Sequence, residues 1–213
     1  MSKERSHEQF LNLLKEKCPI LFSNITVIGK YKKALSYILV KDKYGICNVE
    51  ANSLLKGNFP TIHTALDKDN YFLNQLLDKN PVFFGEHKLM SSFIGGRQPI
   101  LIKNKYGVCR VTPFHLLQGG FCSIQTAVNK CEYFQNELLE INPNFFNNHK
   151  ILSKYEKNDK HLLVENKYGI CKITPNDLLS GKEPGIQSAL NKTEYFINEA
   201  KEIHGDEYDY SLV

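Results

Sequence analysis

The sequence lacks most of the features that would reveal a catalytic or membrane protein. It has no Cys-x-x-Cys pair, no glycine-rich phosphate loop, no nucleophile elbow and no paired-histidine motif. No apolar run reaches transmembrane length, and residues 1–7 are polar and lack a signal-peptide core. Asp206, Glu207 and Asp209 form an acidic tail of the kind that is usually solvated. We therefore expect a cytoplasmic protein without enzymatic activity, cofactor, metal site or membrane contact.

A large excess of either charge is also missing. The chain has 27 Lys and Arg against 23 Asp and Glu, which gives a net charge of +4. A balance this mild permits a polyanionic partner without requiring one, so the clustering of basic residues matters more than their total.

The six cysteines do not follow a disulfide pattern. Cys47, Cys109 and Cys171 are each 62 residues from the next, so they hold the same place in three successive segments. Equivalent positions in linear repeats lie far apart, and we expect these residues to be buried thiols in strands. Cys18, Cys122 and Cys131 share no such spacing.

The recurring cysteine belongs to a longer recurring segment. The stretch Asn104–Cys109 recurs with few changes at 42–47 and 166–171, without insertion. Such a register predicts three tandem repeats of about 62 residues. The expected parts are a capping helix and lead-in at 1–24, repeat 1 at 25–86, repeat 2 at 87–148, and repeat 3 with the C-terminal helix at 149–213.

We predict an α+β fold in which each repeat is a small three-stranded antiparallel sheet followed by a short helix-turn-helix and a longer linking helix. First strands are expected at 26–31, 88–93 and 150–155, and central strands near 37–41, 99–103 and 161–165. An Asn/Asp-Lys-Tyr-Gly hairpin then leads into a third strand such as 108–112. The long helices are expected near 71–79, 133–141 and 195–203.

The helix-turn-helix prediction depends on two neighbouring segments. Thr112-Pro113 and, after the helix, Gly119 mark the two ends of a short helix, and Thr174-Pro175 and Gly181 repeat this pattern. In the following segment, 124–130, the apolar residues Ile124, Ala127 and Val128 have helical spacing and leave a polar opposite face. This geometry is typical of a helix that lies in the major groove of DNA.

The recurrence of Gln, Asn, Thr and Lys on that polar face, and of lysine in the hairpin, favours contact with double-stranded DNA. The alternative is an ordinary solvated helix face, and a lysine in an exposed turn is equally common for structural reasons. The predicted DNA-binding residues are Lys43, Lys68, Lys105, Arg110, Gln125, Thr126, Asn129, Lys130, Lys167, Lys172, Gln187, Ser188, Asn191 and Lys192.

The tail Ala200–Ser211 resembles the opening of a repeat found in phage and mobile-element proteins, beside homing-type endonuclease domains. In that family the segment leads into a zinc-bearing treble-clef-like unit, whose skeleton Lys105–Cys109 and Thr112-Pro113 resemble. Tyr106 stands where the zinc-binding histidine would be, and no cysteine pair remains. The helix-turn-helix half resembles intron-encoded-nuclease repeat modules. The resemblance implies DNA targeting by an endonuclease-associated chain without a nuclease centre.

A second hypothesis is a protein-binding repeat that inhibits or recruits a host protein, for example an anti-defence factor. An exposed apolar or aromatic patch would favour this hypothesis, whereas aligned Lys and Asn/Gln faces favour DNA.

Overall fold

The computed structural model of the chain describes residues 5–205 and 207–210. Asp206 and Ser211, which belong to the tail resemblance, lie outside the described residues. The chain forms two compact units, one that includes the chain to Ile100 together with Val111–Phe121, and one that includes Leu101–Arg110 and the chain from Cys122. The four-part division expected from the sequence stays a prediction.

The structure is mixed α+β, with ten α-helices, one 3-10 helix and nine strands in the described residues. In chain order the elements are α1 His7–Lys17, α2 Pro19–Asn24, β1 Thr26–Val27, β2 Tyr37–Lys41, β3 Ile46–Glu50, α3 Ala51–Leu55, α4 Lys68–Lys79, α5 Phe83–Glu86, β4 Lys88–Leu89, β5 Ile100–Lys103, β6 Val108–Val111, α6 Pro113–Leu117, α7 Lys130–Ile141, α8 Phe145–Asn148, β7 Lys150–Ile151, β8 Leu162–Asn166, β9 Gly169–Ile173, α9 Pro175–Leu179, the 3-10 helix Ile186–Ser188, and α10 Lys192–His204. No helix of the described chain is both long enough and apolar enough to cross a membrane.

The strands form three small antiparallel sheets, with the orders β1-β2-β3, β4-β5-β6 and β7-β8-β9. Strands β2, β5 and β8 confirm the predicted central strands. The first strands, β1, β4 and β7, are shorter than expected, with only two residues each. In the first sheet the amides of Ile28 and Gly29 both donate to the carbonyl of Leu39, at 2.9 and 3.0 Å. Two residues of the first strand segment thus face one residue of β2, which is a β-bulge, and the pairing of β1 with β2 ends there.

The buried side of each sheet follows the alternation of strand side chains. In β2, Ile38 and Val40 are buried while Tyr37, Leu39 and Lys41 are exposed. Cys47, Cys109 and Cys171 are fully buried in β3, β6 and β9, as predicted, and all six cysteines are free thiols. Burial raises the pKa of the Cys47 and Cys171 thiols.

The long helices are confirmed, but each begins three residues earlier than expected. The reason is an N-cap side chain: Asp67, Asn129 and Asn191 accept hydrogen bonds from the backbone amides of Asn70, Glu132 and Glu194. An Asn or Asp oxygen at this position pairs with an amide that would otherwise have no partner at the helix start.

The short helices after the sheets also form. The hydroxyl of Thr112 accepts from the amide of His115, and that of Thr174 accepts from the amide of Asp177. The helix in the first copy starts at Ala51 without a side-chain cap. Gly57, Gly119 and Gly181 follow these helices with φ between 82° and 84°, a conformation that favours glycine.

The second half of the predicted helix-turn-helix is wrong. Residues 124–126 form a turn, and Ala127 makes an isolated β-bridge with Cys109. The amide of Val128 donates to the carbonyl of Val108 at 2.8 Å, so the backbone bonds to the edge of β6 instead of coiling. Val128 is 53% exposed and does not point inward. The apolar residues at i, i+3 and i+4 therefore indicated a helix that does not form. The segment is a turn paired to the edge of β6, and of these three residues it buries only Ile124 and Ala127.

Candidate nucleic-acid interface

Three recurring hairpin loops present the lysines that were predicted to touch phosphate. In the loop between β5 and β6, the side-chain oxygen of Asn104 accepts from the amides of Tyr106 and Gly107 at 3.0 and 3.1 Å. Asp42 and Asn166 make the same pair of bonds in the other two loops. These Asx turns fix the loop and explain why Asn or Asp opens each one.

The same residue also ties each loop to a buried tyrosine of the next long helix. Asn104 donates to the Tyr133 hydroxyl at 2.9 Å, and Asn166 donates to that of Tyr195 at the same distance. In the first loop the direction is reversed, since the Tyr71 hydroxyl donates to Asp42 at 2.6 Å. Burial, and then the bond to Asp42, raises the pKa of Tyr71. The loops are therefore anchored at their base.

The hairpin lysines are engaged within the molecule. Lys43 pairs with Asp78 at 2.7 Å, and Lys105 and Lys167 pair with Glu140 and Glu202. Each ammonium also lies between 4.7 and 5.0 Å from the ring centre of the tyrosine that follows it. Both partners of each ion pair are exposed, so the pairs contribute little to stability, but they neutralise the charge of the loop.

The ionisation of these pairs follows from their hydrogen bonds. The bond to Asp78 raises the pKa of Lys43, and the bonds from Lys43 and Tyr44 lower the pKa of Asp78. Hydrogen bonds with Lys105 and Lys167 lower the pKa of Glu140 and Glu202 in the same way. Each loop therefore presents a closed lysine-carboxylate pair at neutral pH.

The polar residues of the predicted recognition helix also serve the fold. Asn129 and Asn191 are N-caps, and their amides donate to Glu132 and Glu194 at 3.0 Å. Gln125 donates to the Tyr155 hydroxyl at 3.2 Å. Thr126 closes the turn through two bonds with Ser123, and Ser188 does the same with Gly185. The structure therefore gives each of these residues a partner within the molecule.

A different set of basic residues is exposed without an ion pair in the described chain. Because side chains alternate along a strand, these residues lie on the outer faces of the sheets, away from the buried cysteines. We call them the strand cations: Lys41 of β2, Lys103 of β5, Arg110 of β6 and Lys172 of β9. Only Arg110 and Lys172 were among the predicted site residues. The signal for the other two was the alternation of the strand itself.

Lys68, Lys130 and Lys192 open the long helices and likewise form no ion pair in the part of the chain that the structure describes. Lys172, Gln187 and Ser188 line a shallow cleft of about 420 Å³ in the second unit, together with His161, Ile173 and Ile186. Three predicted site residues thus meet in one place. The carboxylates of this cleft have partners, since Asp177 pairs with Lys182 at 2.6 Å and Glu183 accepts from Asn142 at 3.0 Å.

The outer faces also carry apolar side chains. Ile28, Leu39 and Ile46 are between 36% and 51% exposed around the first sheet. Leu66 and Leu190, which are 62 residues from Val128 on either side, are 61% and 58% exposed. The faces are therefore mixed, with a cation beside exposed aliphatic residues.

Across residues 5–205 and 207–210, no three His, Cys, Asp or Glu side chains are grouped in a way that could hold a metal ion. Comparison with known proteins returned no matching family model, no matching curated protein and no matching solved structure.

Proposed function

We propose that this chain is a non-catalytic DNA-binding protein that contacts duplex DNA with the outer faces of its three small sheets. The observation that carries the proposal is the set of strand cations, which are exposed and have no ion pair in the described structure. Lysine and arginine on a surface bind phosphate and release counterions from DNA. Strands can enter the major groove, which is about 12 Å wide.

The proposal moves the interface from the hairpin loops and the turn at 124–130 to the strands. In the third sheet Leu163 lies opposite Lys172, so one cation and one aliphatic side chain share the outer face. Aliphatic groups contact the thymine methyl in the major groove, which fits such a mixed face. Glu165 lies opposite Lys150 in the register, so a carboxylate stands across from that lysine and we take Lys172 as the main cation of this sheet.

We further propose that the three segments are tandem repeats with one weak site each. Linked weak sites gain affinity because binding of the first raises the effective concentration of the others. A net charge of only +4 is then sufficient. The tail resemblance, and not the geometry, suggests a phage or mobile-element origin beside an endonuclease. Free thiols fit a reducing cytoplasm.

The test measures binding of a labelled mixed-sequence duplex. Binding is monitored by fluorescence anisotropy at two salt concentrations. We expect binding at roughly 50 mM salt that weakens steeply by roughly 200 mM. Arg110→Ala and Lys172→Ala should each weaken it, whereas Arg110→Lys, the matched control, keeps the charge. A wild-type chain that binds no duplex at low salt would refute the proposal.

A protein-binding function is the second candidate, because the exposed aliphatic residues on the same faces favour it. Leu39→Ser and Leu190→Ser separate the two functions. Loss of apolar surface should change phosphate-driven DNA binding little, but should weaken a protein interface strongly.

A further inference from the structure

Helices α1, α4 and α7 each hold a phenylalanine that is covered by an aromatic residue from a later segment. Phe10 of α1 stacks on Tyr31 with ring centres 4.6 Å apart. Phe72 of α4 lies 5.4 Å from Phe93, and Phe134 of α7 lies 5.3 Å from Tyr155. The three phenylalanines are at most 2% exposed, so each contact is closed to solvent.

Polar groups beside each phenylalanine also hold the covering segment. Three residues before the phenylalanine, His7 and Asp69 accept from the backbone amides of Tyr31 and Phe93. The equivalent Cys131 thiol contacts the Tyr155 carbonyl at 4.0 Å. In the second unit Gln125 adds a bond of 3.2 Å to the Tyr155 hydroxyl. The aromatic face, the helix-start residue and the glutamine together form a receptor for a tyrosine.

The last long helix, α10, and the 3-10 helix before it carry the equivalent residues on their surface. Phe196, Thr193 and Gln187 are each 62 residues after Phe134, Cys131 and Gln125. Phe196 is 42% exposed, against 1% for Phe134. Within residues 5–205 and 207–210, no ring packs on Phe196, and the side chains of Thr193 and Gln187 make no hydrogen bond. An aromatic face with suitable polar neighbours is therefore exposed to solvent.

We propose that Phe196, Thr193 and Gln187 bind a tyrosine-bearing polypeptide segment of a partner, in the way that α7 holds Tyr155. Tyrosine is the expected residue because the amide of Gln187 can bond a phenol hydroxyl, as that of Gln125 does. Thr193 offers a hydroxyl to the backbone of the bound segment. In a second copy the covering residues Tyr31, Phe93 and Tyr155 are not available, because they are at most 9% exposed. Tyr37 and Tyr208 are 65% and 60% exposed, so self-association is tested separately. This inference is independent of DNA binding.

The probe is a synthetic peptide of residues 149–158, which contains Tyr155 in its own context. A short peptide loses conformational freedom on binding, so we expect a dissociation constant on the order of millimolar. NMR of the isotope-labelled full chain detects such weak binding. The amides of Thr193 to Ile197 and the side-chain amide of Gln187 should shift together and saturate.

Phe196→Ala should weaken peptide binding by about ten-fold, because the aromatic contact dominates the site. Ile203→Ala is the matched control, since Ile203 is an exposed aliphatic residue on the same helix, at 67%. Gln187→Ala and a peptide with Tyr155→Phe should each weaken binding, and combining them should add little. Phe196 is partly exposed, so its variant should keep the wild-type spectrum.

The proposal is overturned if the peptide does not shift these amides, or if Phe196→Ala binds it as well as the wild type. It is also overturned if the chain self-associates in sedimentation and Phe196→Ala abolishes that association, because the occupant would then be a second copy.

Discussion

The hairpin loops and the outer strand faces both present basic residues, and they differ in what surrounds each charge. Lys43, Lys105 and Lys167 each have a carboxylate and a tyrosine ring within contact distance. Lys41 and Lys172 lie on strands among exposed aliphatic residues, without an ion pair in the described structure. The loops therefore use their charge within the fold, while the strands present theirs to solvent.

This difference shows why recurrence alone does not identify a binding surface. A lysine recurs when it contacts a ligand, and it recurs equally when it pairs with an acid at a fixed position. Asp78, Glu140 and Glu202 recur at the same 62-residue spacing as the lysines, which marks the pairs as internal. Arg110 and Lys172 recur without a recurring acid partner.

The largest effect should come from removing the anchor of a hairpin. Asn104→Ala deletes the acceptor of two loop amides and leaves the Tyr133 hydroxyl without its partner. We expect a loss of about 2–3 kcal/mol in the free energy of unfolding, because a buried polar group is left unpaired. Denaturant titration measures it. Arg110→Ala is the control and should change stability by less than about 0.5 kcal/mol. Equal losses in the two variants would erase the contrast between loop and strand.

The next effect concerns a residue that was predicted to read bases. Asn129→Ala should cost about 1 kcal/mol of stability, because the N-cap of α7 is lost. Asn129→Ser keeps a capping oxygen and should restore most of that stability. If Asn129→Ala instead leaves stability unchanged and alters binding at particular base pairs only, the residue belongs to the interface.

The sequence predicted most of the helices and strands, but it did not predict the contacts between distant segments. Alternation and a buried cysteine located the strands, and Thr-Pro with a later glycine located the short helices. The prediction of a helix at 124–130 was wrong, because Ala127 is buried by a bridge to a strand that is distant in sequence. Helical spacing carries no information about such pairing. The contacts of Gln125 and Lys105 within the molecule were not predicted for a similar reason, since their partners Tyr155 and Glu140 are 30 and 35 residues away.

A smaller effect is expected at the hairpin surface. Lys105→Ala should leave the free energy of unfolding almost unchanged, because both members of its ion pair are exposed. It should also change DNA affinity by less than about two-fold, since its charge is already balanced by Glu140. Anisotropy with the same duplex checks this. A loss of DNA affinity similar to that of Arg110→Ala would mean that the hairpin loops contact DNA.

The smallest effect is a pH dependence. The pKa of Asp78 lies below its ordinary value of 3.8, so its contribution is present above that pH and is lost as pH falls through the lowered pKa. The stability difference between wild type and Asp78→Asn should therefore be constant above about pH 5 and shrink in stronger acid. Denaturant titrations across this range measure the difference. A difference that stays constant in acid would mean that the ion pair does not form.

The most direct test of the interface compares two triple variants that remove one cation near each sheet and carry the same net charge. Lys41, Arg110 and Lys172 are replaced by alanine in one, and Lys43, Lys105 and Lys167 in the other. The logarithm of the DNA association constant is measured against the logarithm of salt concentration. The strand variant should flatten the slope by about 2.7, because three phosphate contacts are lost, while the hairpin variant keeps the wild-type slope. Equal slopes in the two variants, or flattening in the hairpin variant alone, would contradict the account.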